Sequence, residues 1–233
     1  MPQIFHRSAN YLSRASIIGA VVLLGLLSVA LWEITLSPWY TEQDLTRQQP
    51  VPFSHRHHAG ELGIDCRYCH TSVEKSSFAG LPPTQTCMTC HSQIWTDAPM
   101  LEPVRASYRD NQSISWIRVN ALPDYVYFNH SIHVAKGVGC TTCHGPIAQM
   151  PLTYKANTLY MGWCLDCHRQ PEKNIRPKSE VFNPFYQPPS HDHPVAVENG
   201  RTFTDQAAMG KYLAAEYKIL PLKNLQSCST CHR

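Results

Sequence analysis

The chain has 233 residues and a formal net charge of +3, with only 16% of its side chains charged. That is too little basic character to argue for a nucleic-acid partner. Eighteen prolines and cysteine pairs scattered along the whole length argue against a large protein-only core, and the length allows one or two domains.

Residues 1–14 are basic and carry no acid (His6, Arg7, Arg14). Ala15 to Trp32 holds no charge, and the spacing predicts a transmembrane helix over 15–37, with Glu33 in the head-group layer. Tyr11, Trp32, Trp39 and Tyr40 suit the two interfacial belts, and Arg7 and Arg14 place the N-terminus in the cytoplasm with everything after the span outside. Ser28-Val29-Ala30 resembles a cleavage site, but the apolar run is longer than most signal-peptide cores, so an uncleaved signal-anchor is expected. Residues 38–52 read as a tether.

The remainder, 53–233, opens with an internal repeat. Phe53-Ser54-His55 with His58 precedes two C-x-x-C-H motifs, Cys66-Cys69-His70 and Cys87-Cys90-His91. Phe128-Asn129-His130 with His133 precedes two more, Cys140-Cys143-His144 and Cys164-Cys167-His168. The phenylalanines are offset by 75 residues, the first motifs by 74 and the second by 77. This predicts two modules on one plan, 53–98 and 128–178, separated by an insertion over 99–127 with strand-like patterns at Ser115–Val119 and Tyr125–Phe128. Arg169 to Val195 reads as an extended surface loop, and Thr204 to Ile219 as a helix capped by Thr204, with Ala208, Tyr212, Leu213 and Tyr217 on one face. A fifth motif, Cys228-Cys231-His232, closes the segment 204–233.

The five motifs use all ten cysteines. C-x-x-C-H is the attachment signature of c-type haem: two thiols bind the macrocycle covalently and the next residue supplies an imidazole to the iron. Zinc ribbons need two cysteine pairs per metal and no histidine after each, and a disulfide framework gives histidine no reason to follow every pair. Five haem c groups are therefore expected, with His70, His91, His144, His168 and His232 as proximal ligands. The repeat offers His55, His58, His130 and His133 as distal ligands. One iron is left short, and Met150 or Met161 is the candidate thioether, which would raise that group's potential. Met88 and Met209 are poorer candidates, His191 and His193 sit in a polar loop, and His57 reads as a solvated neighbour. The fold class expected is a loop-rich multihaem cytochrome c, with short α-helices wrapped around five haems and one N-terminal transmembrane helix.

The stretches FSHRHHAGELGIDCRYCHTSVEKSSFAGLPPTQTCMTCHSQIW, LPDYVYFNHSIHVAKGVGCTTCHG, MGWCLDCHR and CSTCHR resemble the pentahaem, membrane-anchored cytochrome c subunits of alternative complex III. The modules also look like class III cytochromes. The resemblance implies an electron-transfer subunit of a bacterial inner-membrane quinol:acceptor oxidoreductase, its haem domain periplasmic. It also implies the partners: integral-membrane quinol-binding subunits, an iron–sulfur subunit, and a monohaem cytochrome c or blue-copper acceptor. The alternative is a stand-alone, membrane-anchored multihaem quinol dehydrogenase. A multihaem reductase is disfavoured because every motif ends in histidine and the ligand count is nearly full.

Overall fold

In a computed structural model of the chain, residues 4–232 are described; the first three residues of the basic N-terminal segment, and Arg233, lie outside them. The chain divides into two compact units, Met1–Gln43 and Asp44–Arg233.

The first unit is dominated by α1, Ala9–Leu36, a helix of 28 residues. It begins earlier than the charge-free run alone suggests, because the polar residues of its first turns satisfy themselves locally. The Ser13 hydroxyl donates to the Asn10 carbonyl at 3.1 Å and that of Ser16 to the Ser13 carbonyl at 2.9 Å. Pro38 ends it by forcing Ser37 into extended backbone, ψ 152°. At 1.5 Å per residue the helix is about 42 Å long, more than a hydrocarbon core of about 30 Å requires. None of its side chains is buried, and it is long and apolar enough to cross a membrane. A single turn, α2 (Pro38–Thr41), follows and stops at Glu42 with φ +59°.

The second unit starts at Asp44, so the expected tether is shorter than 38–52. The Asp44 amide donates to the Lys155 carbonyl at 2.8 Å, Thr46 pairs with Tyr154, and Val51 is buried. From there the chain forms short helices: α3 (Cys66–Cys69), α4 (Thr84–His91), α5 (Glu102–Asp110), α6 (His130–Ala135), α7 (Cys140–His144), α8 (Met161–Arg169), α9 (Gln206–Glu216), α10 (Leu222–Leu225) and α11 (Cys228–Cys231). A π-helical turn spans Arg56–Glu61. The insertion forms α5 instead of strands. Pro103 sits in its first turn, Arg105 pairs with Glu102 at 2.8 Å, and Asn111 ends it with φ +51°. The short β-like patterns at 115–119 and 125–128 find no partner strand to pair with, so they stay irregular.

Two further expectations are corrected. The stretch after the fourth motif is not a surface loop, because Ile175, Arg176, Pro177 and Val181 are buried in it. It also leads into the two strands found among the described residues, β1 (Val195–Ala196) and β2 (Thr202–Phe203), paired antiparallel with Val195 opposite Phe203. The late helix is capped by Asp205 and not by Thr204: the Asp205 carboxylate accepts the Ala208 N–H at 2.7 Å. Its inward face is Met209, Gly210 and Leu213.

The protein core is small. One cluster joins Ile175, Val195, Val197, Met209, Leu213 and Tyr217; a second joins Val51, Leu101 and Val104. The exposed surface is 15877 Å². A compact protein of this mass exposes about 10,600 Å². Part of the excess is α1; the cysteine–histidine motifs are also half-buried or exposed, with Cys87 packed against the second cluster.

Candidate functional site

Each C-x-x-C-H motif occupies a helical turn, so the two thiols and the imidazole, at i, i+3 and i+4, share one face. The motifs define sites one to five in chain order. Local chemistry starts the turns: the Asp65 carboxylate accepts the Arg67 N–H at 2.8 Å ahead of α3, and extended Pro83, Gly139 and Ser227 precede α4, α7 and α11. All ten cysteines are free thiols, half-buried or exposed.

The two upstream histidine pairs are built alike. Phe53 stacks on His58 at 4.4 Å between ring centroids and meets His55 edge-on at 5.0 Å. Phe128 stacks on His133 at 4.6 Å and meets His130 edge-on at 4.8 Å. The second pair lies on α6, which Asn129 caps by accepting the Ser131 N–H at 2.9 Å. In both pairs the two imidazole planes are therefore steeply inclined to each other, and each ring faces a different motif.

The facing rings carry the geometry. His55 lies 6.5 Å from His70 with planes 7° apart, and His130 lies 6.4 Å from His144 with planes 5° apart. His133 faces His168 at 6.2 Å and 21°, and His58 faces His91 at 6.2 Å and 66°. Imidazole–metal bonds of about 2.0–2.1 Å on opposite faces of one ion put ring centroids about 6.4 Å apart. All four pairs are set at that spacing, so each could hold one iron between them.

The hydrogen bonds select the right nitrogen. A carbonyl only accepts, so an Nδ1 beside one carries the proton and Nε2 keeps its lone pair for a metal. Nδ1 donates to the Ser54 carbonyl from His58 (2.9 Å), to Gly80 from His70 (2.7 Å), to Ile94 from His91 (3.2 Å) and to Ser77 from His130 (2.8 Å). The same holds from His133 to Asn129 (2.7 Å), from His168 to Leu225 (2.9 Å) and from His232 to Tyr125 (3.1 Å). Gly80 presents its carbonyl from left-handed backbone, φ +84°, and a side chain there would also collide with the Ser72 hydroxyl. Burial and neighbouring imidazoles push His55 and His144 down to about 4, so both rings are neutral at pH 7. Imidazoles anchored through Nδ1 and paired thiols fit haem c.

The remaining candidates separate. His232 has Tyr125 beside it, rings 5.8 Å apart, and among the described residues no imidazole faces it at the spacing of the other four. Met150 is 1% exposed and packed in the interior, whereas Met161 is 66% exposed at the start of α8. Met209 is buried in the core, and His191 and His193 are exposed. His57 binds Glu61 at 3.1 Å and stacks on Trp95; it meets His58 edge-on at 5.3 Å, beside the His58–His91 pair and not facing a motif histidine. The backbone carbonyls that orient the imidazoles leave no side-chain signal in the sequence.

Residues 35–118 match the class III cytochrome c family. The multihaem cytochrome c subunit of menaquinone reductase from Nitratidesulfovibrio vulgaris (strain Hildenborough) is 32% identical over 143 residues, covering 52% of this chain and 68% of the relative. With paired thiols and facing imidazoles at metal-bridging distance, these similarities identify the chain as a member of the multihaem cytochrome c family.

Proposed function

We propose that this chain is an electron-transfer subunit carrying five c-type haems, anchored by α1 with its haem domain on the periplasmic side of the bacterial inner membrane. It relays electrons from a quinol-oxidising membrane assembly, through an iron–sulfur partner, to a periplasmic acceptor such as a monohaem cytochrome c or a blue-copper protein. The observation that carries the reading is the set of four imidazole pairs at 6.2–6.5 Å. When bound, each haem supplies a one-electron ferric/ferrous couple. The chain's residues do the rest. Cys66 and Cys69, Cys87 and Cys90, Cys140 and Cys143, Cys164 and Cys167, and Cys228 and Cys231 hold the groups covalently. His70, His91, His144, His168 and His232 are proximal ligands, and His55, His58, His130 and His133 are distal to sites one, two, three and four.

Site five takes Met161 as its sixth ligand in preference to Met150. Met161 lies three residues before Cys164 on the same helix, and the Cys164 thiol feels the Cys231 thiol of site five. Met150 is enclosed near Gly145 and its backbone carbonyl accepts the Arg56 N–H at 3.0 Å. With His55, His58, His130, His133 and Met161 each available opposite a motif histidine, the sites would leave no open position for a small substrate, and the chain would act as a conductor.

A second reading concerns direction. The relative is named a menaquinone reductase subunit, which favours electrons running from the periplasmic side toward the quinone; the residues and their roles are the same. Spectroelectrochemical titration of the full chain in detergent tests the conductor itself. Five electrons per chain and no turnover of added quinol are expected. Quinol oxidation by the isolated chain would overturn the reading in favour of a stand-alone dehydrogenase.

A further inference from the structure

We infer that the five attachment sites follow one another in space as a single unbranched series, in the order two, one, three, four, five. The inference rests on the haem-binding reading above and adds what motif order alone does not contain: the first site in the chain is second in space, and the series ends at sites two and five.

Each step has its own contact. Sites two and one touch through the residues inside their motifs, where the Tyr68 hydroxyl and the Thr89 hydroxyl are 2.9 Å apart. The same sites share the His55–His58 turn, one imidazole facing each. Sites one and three meet on one short stretch of backbone, because the Cys66 thiol points at the Phe182 carbonyl (3.9 Å) and the Cys140 amide donates to the Val181 carbonyl (3.4 Å). The distal segment of site three also docks on the loop that follows site one. His130 donates to the Ser77 carbonyl from its amide at 3.2 Å and from Nδ1 at 2.8 Å.

Sites three and four share the His130–His133 turn as one and two share theirs. Sites four and five meet where the site-four imidazole, His168, donates to the Leu225 carbonyl at 2.9 Å, three residues before Cys228. On the other flank of site five, the Tyr127 amide donates to the Cys231 carbonyl at 2.8 Å, just before the turn that carries His130 and His133. Among the described residues no hydrogen bond or ring contact joins the motif or distal imidazole of site two to those of sites three, four or five. A donor and an acceptor therefore engage the chain at its two ends, one beside site two and the other beside site five.

The test is an EPR-resolved redox titration of the full haem-loaded chain, comparing the unaltered protein with His58→Met and His133→Met. Exchanging an imidazole for a thioether raises the midpoint of its own site. A neighbour that then titrates second meets one more negative charge and titrates lower, and the effect falls with distance. His58→Met is expected to lower the midpoint of site one and leave sites three to five in place. His133→Met is expected to lower site three, to bring site four up to the already raised site five so that these two titrate as a coupled pair, and to leave one and two in place. A fall at site three or beyond in the first variant, or at site one or two in the second, overturns the order. If a substitution costs its site the haem, the loss of that charge still displaces the midpoints of its spatial neighbours, and the same comparison applies. A chain with no covalent haem shows no midpoints at all and overturns the underlying reading together with the order.

Discussion

His58 and His91 face each other at 6.2 Å with their ring planes turned 66° apart, whereas the other three facing pairs lie within 21° of parallel. Two parallel imidazoles pull on the same iron d orbital and split it from its partner; crossed planes act on both and leave them nearly degenerate. Site two is therefore expected to give a strongly anisotropic low-spin ferric EPR signal, and sites one and three rhombic ones. His58→Ala should remove the anisotropic signal and introduce a high-spin one. Loss of a rhombic signal in its place would assign His58 to another site.

Arg176 is 6% exposed and makes no ion pair among the described residues; its guanidinium donates to the Thr141 and Thr142 hydroxyls at 3.0 and 3.3 Å and lies 4.4 Å over Tyr186. Those threonines are the two residues between Cys140 and Cys143, so a cation is buried against site three, with the Glu180 carboxylate offsetting its charge only in part. A fixed positive charge favours the reduced state. Arg176→Gln is expected to lower the site-three midpoint by tens of millivolts, where about 59 mV is tenfold in a one-electron equilibrium. The measurement is a redox titration of the variant, and an unchanged midpoint would contradict it.

Leu213 and Met209 are fully buried, and Gly210 between them lies against the backbone of Glu172, leaving no room for a Cβ. Leu213→Ala is expected to cost about 2–5 kcal/mol. Gly210→Ala should also destabilise, although alanine favours a helix, because α9 would have to lift from the 171–173 turn. Thermal unfolding followed by far-ultraviolet circular dichroism checks both, with the haem content of each variant measured alongside.

The Glu198 carboxylate accepts the Tyr217 hydroxyl at 2.9 and 3.0 Å and the Lys178 N–H. Burial works to raise its pKa, but these donors prevail and hold it below the usual carboxylate range. The folded form thus binds its proton less readily than the unfolded one. The stabilisation is full above the unfolded value and is lost as pH falls through the lower folded value. Glu198→Gln should cost about 1 kcal/mol near neutral pH, where a partly exposed charged hydrogen bond is worth about that much. It should also flatten the acid limb of the stability curve, as measured by denaturant unfolding from pH 7 to 3.

Much of the candidate site is legible in the sequence because covalent haem attachment would require a fixed spacing of thiols and imidazole. The motifs and the two Phe-x-His-x-x-His turns can be read directly, and in the structure His55, His58, His130 and His133 are the rings that face the motif histidines of sites one to four. Which ring faces which is set by tertiary packing and has no periodic signature. The same is true of the Gly80, Ser77 and Leu225 carbonyls that orient them. The stretch holding Ile175, Arg176 and Val181 reads as loop because short 3₁₀ turns and prolines carry no helical repeat, yet it packs against α9 as core. Asp205 displaces Thr204 as the cap because the helix starts one residue later than the apolar pattern implies.

The central claim is that every C-x-x-C-H motif in this chain holds a haem. Intact-mass spectrometry of the purified, denatured chain, with peptide mapping of the modified cysteines, tests it most directly. The account predicts the polypeptide plus five haem groups, with thioether links at both cysteines of each motif from Cys66 to Cys231. A mass short of five groups, or an unmodified pair in any motif, would contradict it.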